Sequence, residues 1–290
     1  MGKKYYNPLF LLILVLLLFI SCGRNRVYIP TITEDELGIV HYGKFVWYDL
    51  VTDDVPGARR FYENLFGWQF EGPGGDGAPY LTAYYQDQPI AGIVKSDRLE
   101  FETSEARWLG YISVPDVDRT TGQLLNMGGI VYNPPMDLED RGRVAVVGDN
   151  RGAIFAIITA EGGDPEDQNP LTGTWLWSEL LTDNPEKAQK FYMDIFGYAI
   201  EEIKEFYRYN YYILIKEGKR RAGLTLLPGK NVKPNWLPYI KVENPAETVR
   251  RAEELGGKIL IVSESATGSA GVGIIADPTG AVFAVQKLPN

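Results

Sequence analysis

Two short stretches, "FVWYDLVTDD" at 45–54 and "WLWSELLTDN" at 175–184, each place an indole two residues before a carboxylate. At the strand period of two, Trp47 and Asp49 share one face, and so do Trp177 and Glu179. An aromatic wall with one acid beside it is equipped for a small set of jobs. The acid can hold the donor groups of a flat ligand stacked on the indole. With its pKa raised by burial it can instead move a proton as a general base, which makes Asp49 and Glu179 the candidate catalytic residues. Its third role is structural: a carboxylate on a half-buried strand bonds backbone amides or an arginine to offset the cost of leaving water. The residues alone leave all three open. Two later strands add Tyr111 and Tyr239 to the same constellations, with Tyr84, Tyr209 and Tyr211 as further candidates of uncertain register.

The two stretches are parts of a longer repeat. Trp47, Phe61, Tyr62 and Gly67 recur as Trp177, Phe191, Tyr192 and Gly197, shifted by 130. Trp108, Tyr111, Gly128, Gly129, Asp149, Gly152 and Phe155 recur as Trp236, Tyr239, Gly256, Gly257, Asp277, Gly280 and Phe283, shifted by 128. A period this long means two copies of a whole domain rather than a solenoid.

Each copy reads strand, helix, then strands, twice over. Phe45 to Val51 has the aromatic and branched residues of a strand. Asp53 or Asp54 then caps a helix with Pro56 near its start. Ala58, Phe61, Tyr62, Leu65 and Phe66 form one apolar stripe, and Gly67 suits the left-handed residue that ends it. "YLTAYY" and "PIAGIVK" follow as strands. A second round opens with "WLGYISV", continues through a helix capped by Asp116, and closes with "RVAVVGD" and "AIFAIIT". The alternation puts Trp47, Asp49 and Val51 on one face, with Tyr48 and Leu50 packed beneath the helix.

The stretches "TDDVPGARRFYENLFGW", "TDNPEKAQKFYMDIFGY", "DNRGAIFAI" and "DPTGAVFAV" resemble the vicinal oxygen chelate superfamily, which includes glyoxalases, extradiol dioxygenases and bleomycin-resistance proteins, and in particular a tandem two-domain subgroup of it. The resemblance implies an α+β fold of two tandem glyoxalase-fold domains, each of paired βαβββ modules forming an open eight-stranded cleft. Domain 1 is placed at 43–160 and domain 2 at 174–290, and "EGGDPEDQNPLTG" at 161–173 reads as the linker by composition. It also implies where a metal would be held: on the first strand about seven residues before the capping Asp or Asn, and seven residues after the Asp of the closing turn. Those positions are Trp47, Trp177, Leu109, Leu237, Ala156 and Ala284, none of which carries a lone pair suited to a divalent ion. No metal and no cofactor is therefore expected. His41, the one histidine, is expected to be solvated.

The first 21 residues read as a lipoprotein signal peptide: Lys3 and Lys4, an apolar run from Leu9 to Ile20, then Ser21 before Cys22. Cys22 would be acylated and 22–42 would be a tether to the membrane, the outer one where the envelope has two. Loss of residues 1–21 removes two lysines and no acid, taking the charge from −9 to −11, which argues against a nucleic-acid partner. "GPGGDG" at 72–77 precedes a strand rather than a helix, and "GSAGVG" at 268–273 likewise sits in a loop, so neither is a dinucleotide fingerprint. The leading expectation is a membrane-anchored, metal-free protein that binds a small molecule through Trp47, Asp49 and Tyr111 in one cleft and Trp177, Glu179 and Tyr239 in the other. The alternatives are a metal-independent acid–base enzyme of lyase, isomerase or hydrolase type, and an envelope interaction protein. Oligomeric state is not legible.

Overall fold

The computed structural model describes residues 29–33, 38–73, 78–98, 106–203, 210–229, 231–263 and 271–288. The expected signal peptide, Cys22, Tyr209 and much of the two glycine-rich loops lie outside the described residues. Among the described residues no helix is long and apolar enough to cross a membrane.

The first module is β1 (Phe45–Thr52), α1 (Val55–Phe66), β2 (Gln69–Glu71), β3 (Tyr80–Tyr85) and β4 (Gln88–Lys95). The second is β5 (Arg107–Ser113), α2 (Val117–Asn126), β6 (Ile130–Leu138), β7 (Gly142–Gly148) and β8 (Ile154–Ala160). The second half repeats them as β9 (Trp175–Thr182), α3 (Pro185–Phe196), β10 (Ala199–Ile203), β11 (Tyr211–Lys216) and β12 (Lys219–Leu226), then β13 (Asn235–Lys241), α4 (Pro245–Glu254), β14 (Lys258–Ser263), β15 (Val272–Ala276) and β16 (Val282–Gln286). Asp54 accepts from the Gly57 amide at 2.9 Å, which makes it, rather than Asp53, the cap of α1. Gly67 ends that helix at φ 75°, a conformation that costs a Cβ-bearing residue dearly.

Each half forms one eight-stranded sheet, in the orders β2-β3-β4-β1-β5-β8-β7-β6 and β10-β11-β12-β9-β13-β16-β15-β14. The modules join at the centre through the antiparallel pairs β1–β5 and β9–β13. The helix-bearing faces of the two sheets pack on each other, and their cores cross over. Tyr48, Leu50, Phe61 and Tyr62 of the first module share a core with Val249, Ala252 and Phe283 of the fourth. Leu124, Phe155 and Ile157 of the second share another with Phe191, Tyr192 and Leu224 of the third. Trp47, Val51, Leu109 and Tyr111 line the opposite face of the first sheet, and Trp177, Leu181, Leu237 and Tyr239 that of the second, as alternation predicts.

The crossing explains why a tyrosine and an aspartate recur in both halves. Tyr62 Oη donates to Asp277 Oδ2 at 3.0 Å, and Tyr192 Oη to Asp149 Oδ2 at 3.1 Å. The other oxygen of each aspartate closes its own turn, taking the amides of Ala153 (2.9 Å) and Ala281 (3.0 Å). Burial raises both carboxyls above their ordinary values against these bonds. Tyr62→Phe is expected to lower stability by about 1–3 kcal/mol, because Asp277 keeps its burial and loses a donor; the shift in the urea midpoint measures it.

The linker is a clasp. Asp167 lies 3.2 Å from Lys44 of the first half, and 2.6 and 2.7 Å from Lys219 and Arg221 of the second. Burial opposes its charge, but Arg221, Lys219 and Lys44 outweigh that and hold its carboxyl well below the usual range. His41 is not solvated as expected: its side chain is 17% exposed, with Nδ1 3.9 Å from Asp167. The linker folds back over this segment and covers it.

Candidate functional site

Asp49 is the centre of the first cleft. Its Oδ1 accepts from Trp47 Nε1 at 2.8 Å and Tyr80 Oη at 2.7 Å, and its Oδ2 from Tyr111 Oη at 2.7 Å. Trp47, Asp49 and Tyr111 are thus brought together as the alternation of β1 and β5 requires, with Trp47 opposite Tyr111 in the ladder. Arg141, from the turn between β6 and β7, enters above them. Its guanidinium stands 4.4 Å from the Trp47 ring and donates to Tyr80 Oη at 3.0 Å. Burial works against the charge of Arg141, and Tyr80, Asp49 and Tyr111 together outweigh it. The phenols are pushed the other way: burial and the Asp49 charge raise both Tyr80 and Tyr111 far above the ordinary phenol value.

This cleft is not open. Trp47, Asp49, Tyr80, Tyr111 and Arg141 are all buried, at 6% exposure or less. Ile32, at 2% exposure, packs into the same cluster, so part of the expected tether lies inside the cleft. Arg141 Nε donates to the Pro30 carbonyl at 2.6 Å.

The second cleft has the same aromatic frame with a different electrostatic balance. Glu179 sits opposite Leu237 and beside Gly223, the register Asp49 keeps with Leu109 and Gly92. Tyr239 Oη donates to Glu179 Oε1 at 3.4 Å, Tyr211 also bonds the carboxylate, and Trp177 Nε1 donates to Tyr211 Oη at 3.1 Å. Among the described residues no cation enters this cleft. Burial therefore lifts Glu179 to about 7, against the two tyrosine bonds that pull it down. Unlike their counterparts, Trp177, Glu179 and Tyr211 are only half-buried. A groove of about 610 Å³ beneath the linker, between the two halves, is lined by Trp47 and Trp177 alike, together with Tyr48, Tyr85, Trp175 and Lys44.

One glycine per cleft makes room for the polar cluster. A Cβ on Gly92 would stand 2.2 Å from Asp49 Oδ1 and 2.0 Å from Tyr80 Oη; on Gly223 it would stand 2.1 Å from Tyr211 Oη. Gly223→Ala is expected to push Tyr211 off Glu179 and weaken any ligand of the second cleft about tenfold, read by titration calorimetry.

Tyr80 and Arg141 were not legible as site residues. Tyr80 opens a strand whose register is broken by a bulge between Ala83 and Tyr84, and Arg141 comes from a turn without periodicity. The signal for Tyr80 was its match to Tyr211, each the first residue of the third strand in its half. Of the other tyrosines, Tyr211 joins the second cleft, while Tyr84 pairs with Gln69 and Pro89 at the far end of β3.

A divalent ion needs several acceptors converging on one point. Each cleft offers one carboxylate taking hydroxyl donors, joined in the first by the Trp47 indole, and among the described residues no three of His, Cys, Asp and Glu come together. The donor sets do not fit a divalent cation.

Residues 175–285 match the model of the Glyoxalase/Bleomycin resistance protein/Dioxygenase superfamily. CFP32 of Mycobacterium tuberculosis, a protein named as a glyoxylase, is 31% identical over 245 residues, covering 83% of this chain and 93% of that protein. The anthracycline biosynthesis protein DnrV of Streptomyces peucetius is 29% identical over 263 residues, covering 85% and 94%. Among solved structures, the Mn(II)-bound glyoxalase from Novosphingobium aromaticivorans superposes with a TM-score of 0.55 at 15% identity, over 86% of this chain and 82% of that one. An extradiol ring-cleaving dioxygenase from B. fuscum does so with a TM-score of 0.59 at 12% identity, over 89% and 75%. At those identities the superpositions speak for the fold alone.

Proposed function

Because the chain belongs to the glyoxalase/bleomycin resistance protein/dioxygenase superfamily, we propose that it binds a flat, polar small molecule in its second cleft, without a divalent metal. The observation that carries this reading is Glu179, the carboxyl of a half-buried aromatic cleft, raised to about 7 by burial with no cation beside it among the described residues. Trp177 and the tyrosines supply faces for stacking, and Glu179 supplies one polar contact that changes character with its proton. The kinship to a protein named for anthracycline biosynthesis favours a planar fused-ring ligand. The filled first cleft leaves one site per chain.

Titration calorimetry with a hydroxylated anthraquinone tests this. One site per chain is expected, weakened roughly tenfold or more in Trp177→Ala. Affinity should change between pH 6 and 8 in the unsubstituted chain and stay flat in Glu179→Gln. Two equivalent sites, or binding indifferent to Trp177, would refute the reading.

A second reading draws on the same carboxyl. A group poised near neutrality is suited to general acid–base catalysis, so a proton-abstracting enzyme with Glu179 as base is the rival. It requires turnover that disappears in Glu179→Gln, where mere binding survives. Anchoring of the chain in the cell envelope through a lipid on Cys22 is likewise a proposal, resting on the apolar run and the Ser21–Cys22 junction. Incorporation of labelled palmitate that Cys22→Ala abolishes would support it.

A further inference from the structure

We infer that the first cleft is a peptide-binding site, and that the protein's own segment Ile29–Thr33 occupies it in cis. The segment is a ligand by its manner of attachment. It joins neither sheet and takes part in no strand ladder. Among its contacts are one buried side chain, Ile32, set among Trp47, Val51, Leu109 and Tyr111, and one main-chain acceptor, the Pro30 carbonyl on Arg141 Nε. That is the pattern of an extended peptide in a groove: a backbone contact for affinity and a side-chain pocket for selection. Proline suits its place, since it brings no N–H to leave unsatisfied beside a guanidinium and is already extended before it binds.

Two observations separate a ligand from a piece of core. The second cleft builds the same Trp–Tyr–Tyr–carboxylate frame with no segment of the chain seen in it among the described residues, and its Trp177 and Glu179 stay half-buried. Among the described residues, the frame of the second cleft stands without a filler. Arg141 also has capacity that the segment does not use. The side chain is 1% exposed, yet its Nη1 has no acceptor among the described residues. A buried guanidinium donor without a partner is costly, and marks a site able to take one more acceptor oxygen than the strap delivers. The ligand class is a short extended segment with an aliphatic residue two positions after a proline, whose carbonyls face Arg141. This inference concerns the first cleft and is independent of the function proposed for the second.

Being part of the chain, the strap competes at an effective concentration on the order of millimolar, so an outside peptide displaces it only at that level or above. The test is amide hydrogen exchange on the full-length chain in detergent, with and without about 10 mM of the synthetic peptide Ile-Pro-Thr-Ile-Thr. The amides of 29–33 are expected to exchange several-fold faster with the peptide, while those of β1 do not change. A peptide with aspartate as its fourth residue should have no effect. Unchanged exchange of the strap would overturn the inference. A second arm uses the full-length Ile32→Asp chain, which should keep its fold and bind fluorescein-labelled peptide at least tenfold more tightly than the unsubstituted chain. If Ile32→Asp unfolds, or folds and binds no better, the segment is core and the inference fails.

Discussion

Glu179→Gln is expected to stabilise the protein at pH 8 and leave it unchanged at pH 4. The sign follows from linkage. The ordinary value for this carboxyl is 4.5 and burial raises it to about 7 in the folded chain. Below 4.5 the folded and unfolded chains both hold the proton, and the carboxyl costs nothing. Between 4.5 and about 7 the folded chain binds the proton more tightly, so stability falls as pH rises. Above about 7 the full penalty applies, at most about 3 kcal/mol, reduced by whatever water reaches the partly buried carboxyl. Glutamine keeps an acceptor for Tyr211 and Tyr239 and never ionises, so its difference from the unsubstituted chain isolates this group from Asp149 and Asp277, which burial also raises. Urea midpoints of both chains from pH 4 to 8 measure it. A difference that is flat with pH would show that Glu179 is already solvated, and would remove the observation on which the proposed binding function stands.

Asp49→Ala is expected to act in the opposite direction and to destabilise the protein. Three donors, Trp47 Nε1, Tyr80 Oη and Tyr111 Oη, lose their acceptor together. Arg141 keeps its positive charge in a site it can scarcely leave, being 1% exposed. Removing one partner of a buried charge network costs about 3–5 kcal/mol, a large share of the 5–15 kcal/mol that holds a typical domain folded. The variant should therefore lose much of its urea midpoint. Asp49→Asn, which keeps an acceptor but not the charge, should lose less. Equal and small losses in both would mean that Arg141 finds another counter-charge. Asp49 has a guanidinium nearby, linked to it through Tyr80 Oη, whereas among the described residues Glu179 has none.

Much of this was legible before any coordinate. The period-two alternation of "FVWYDLV" put Trp47 and Asp49 on one face and Tyr48 and Leu50 on the other, and local backbone geometry enforces that without help from the rest of the fold. Asp116 and Gly67 could be assigned because a cap and a left-handed residue are local demands. What escaped was everything that depends on where separate segments meet. Arg141 comes from a turn, Ile32 from a stretch read as a tether, and neither carries a pattern that points into a cleft. The filling of the first cleft is likewise a matter of a remote segment, so two copies that look alike as sequence differ, among the described residues, in what occupies them. His41 was read as solvated because a lone histidine usually is, and only the fold-back of the linker covers it.

The crossed cores carry a consequence for how such a chain can change over time. The unit that shapes a cleft is a half of the molecule, but the unit that excludes water is a module of one half with a module of the other. After duplication, then, the copies stopped being spare parts for one another. Neither half can be discarded without stripping the apolar face of its sibling, and the Tyr62–Asp277 and Tyr192–Asp149 bonds would each be left with one end. The outward faces are under no such obligation, since no core shared between the halves runs through them. Divergence is therefore confined by construction to the clefts: one drifted toward a cation and a plug, the other toward a carboxyl near neutrality, on a frame that both copies are bound to keep.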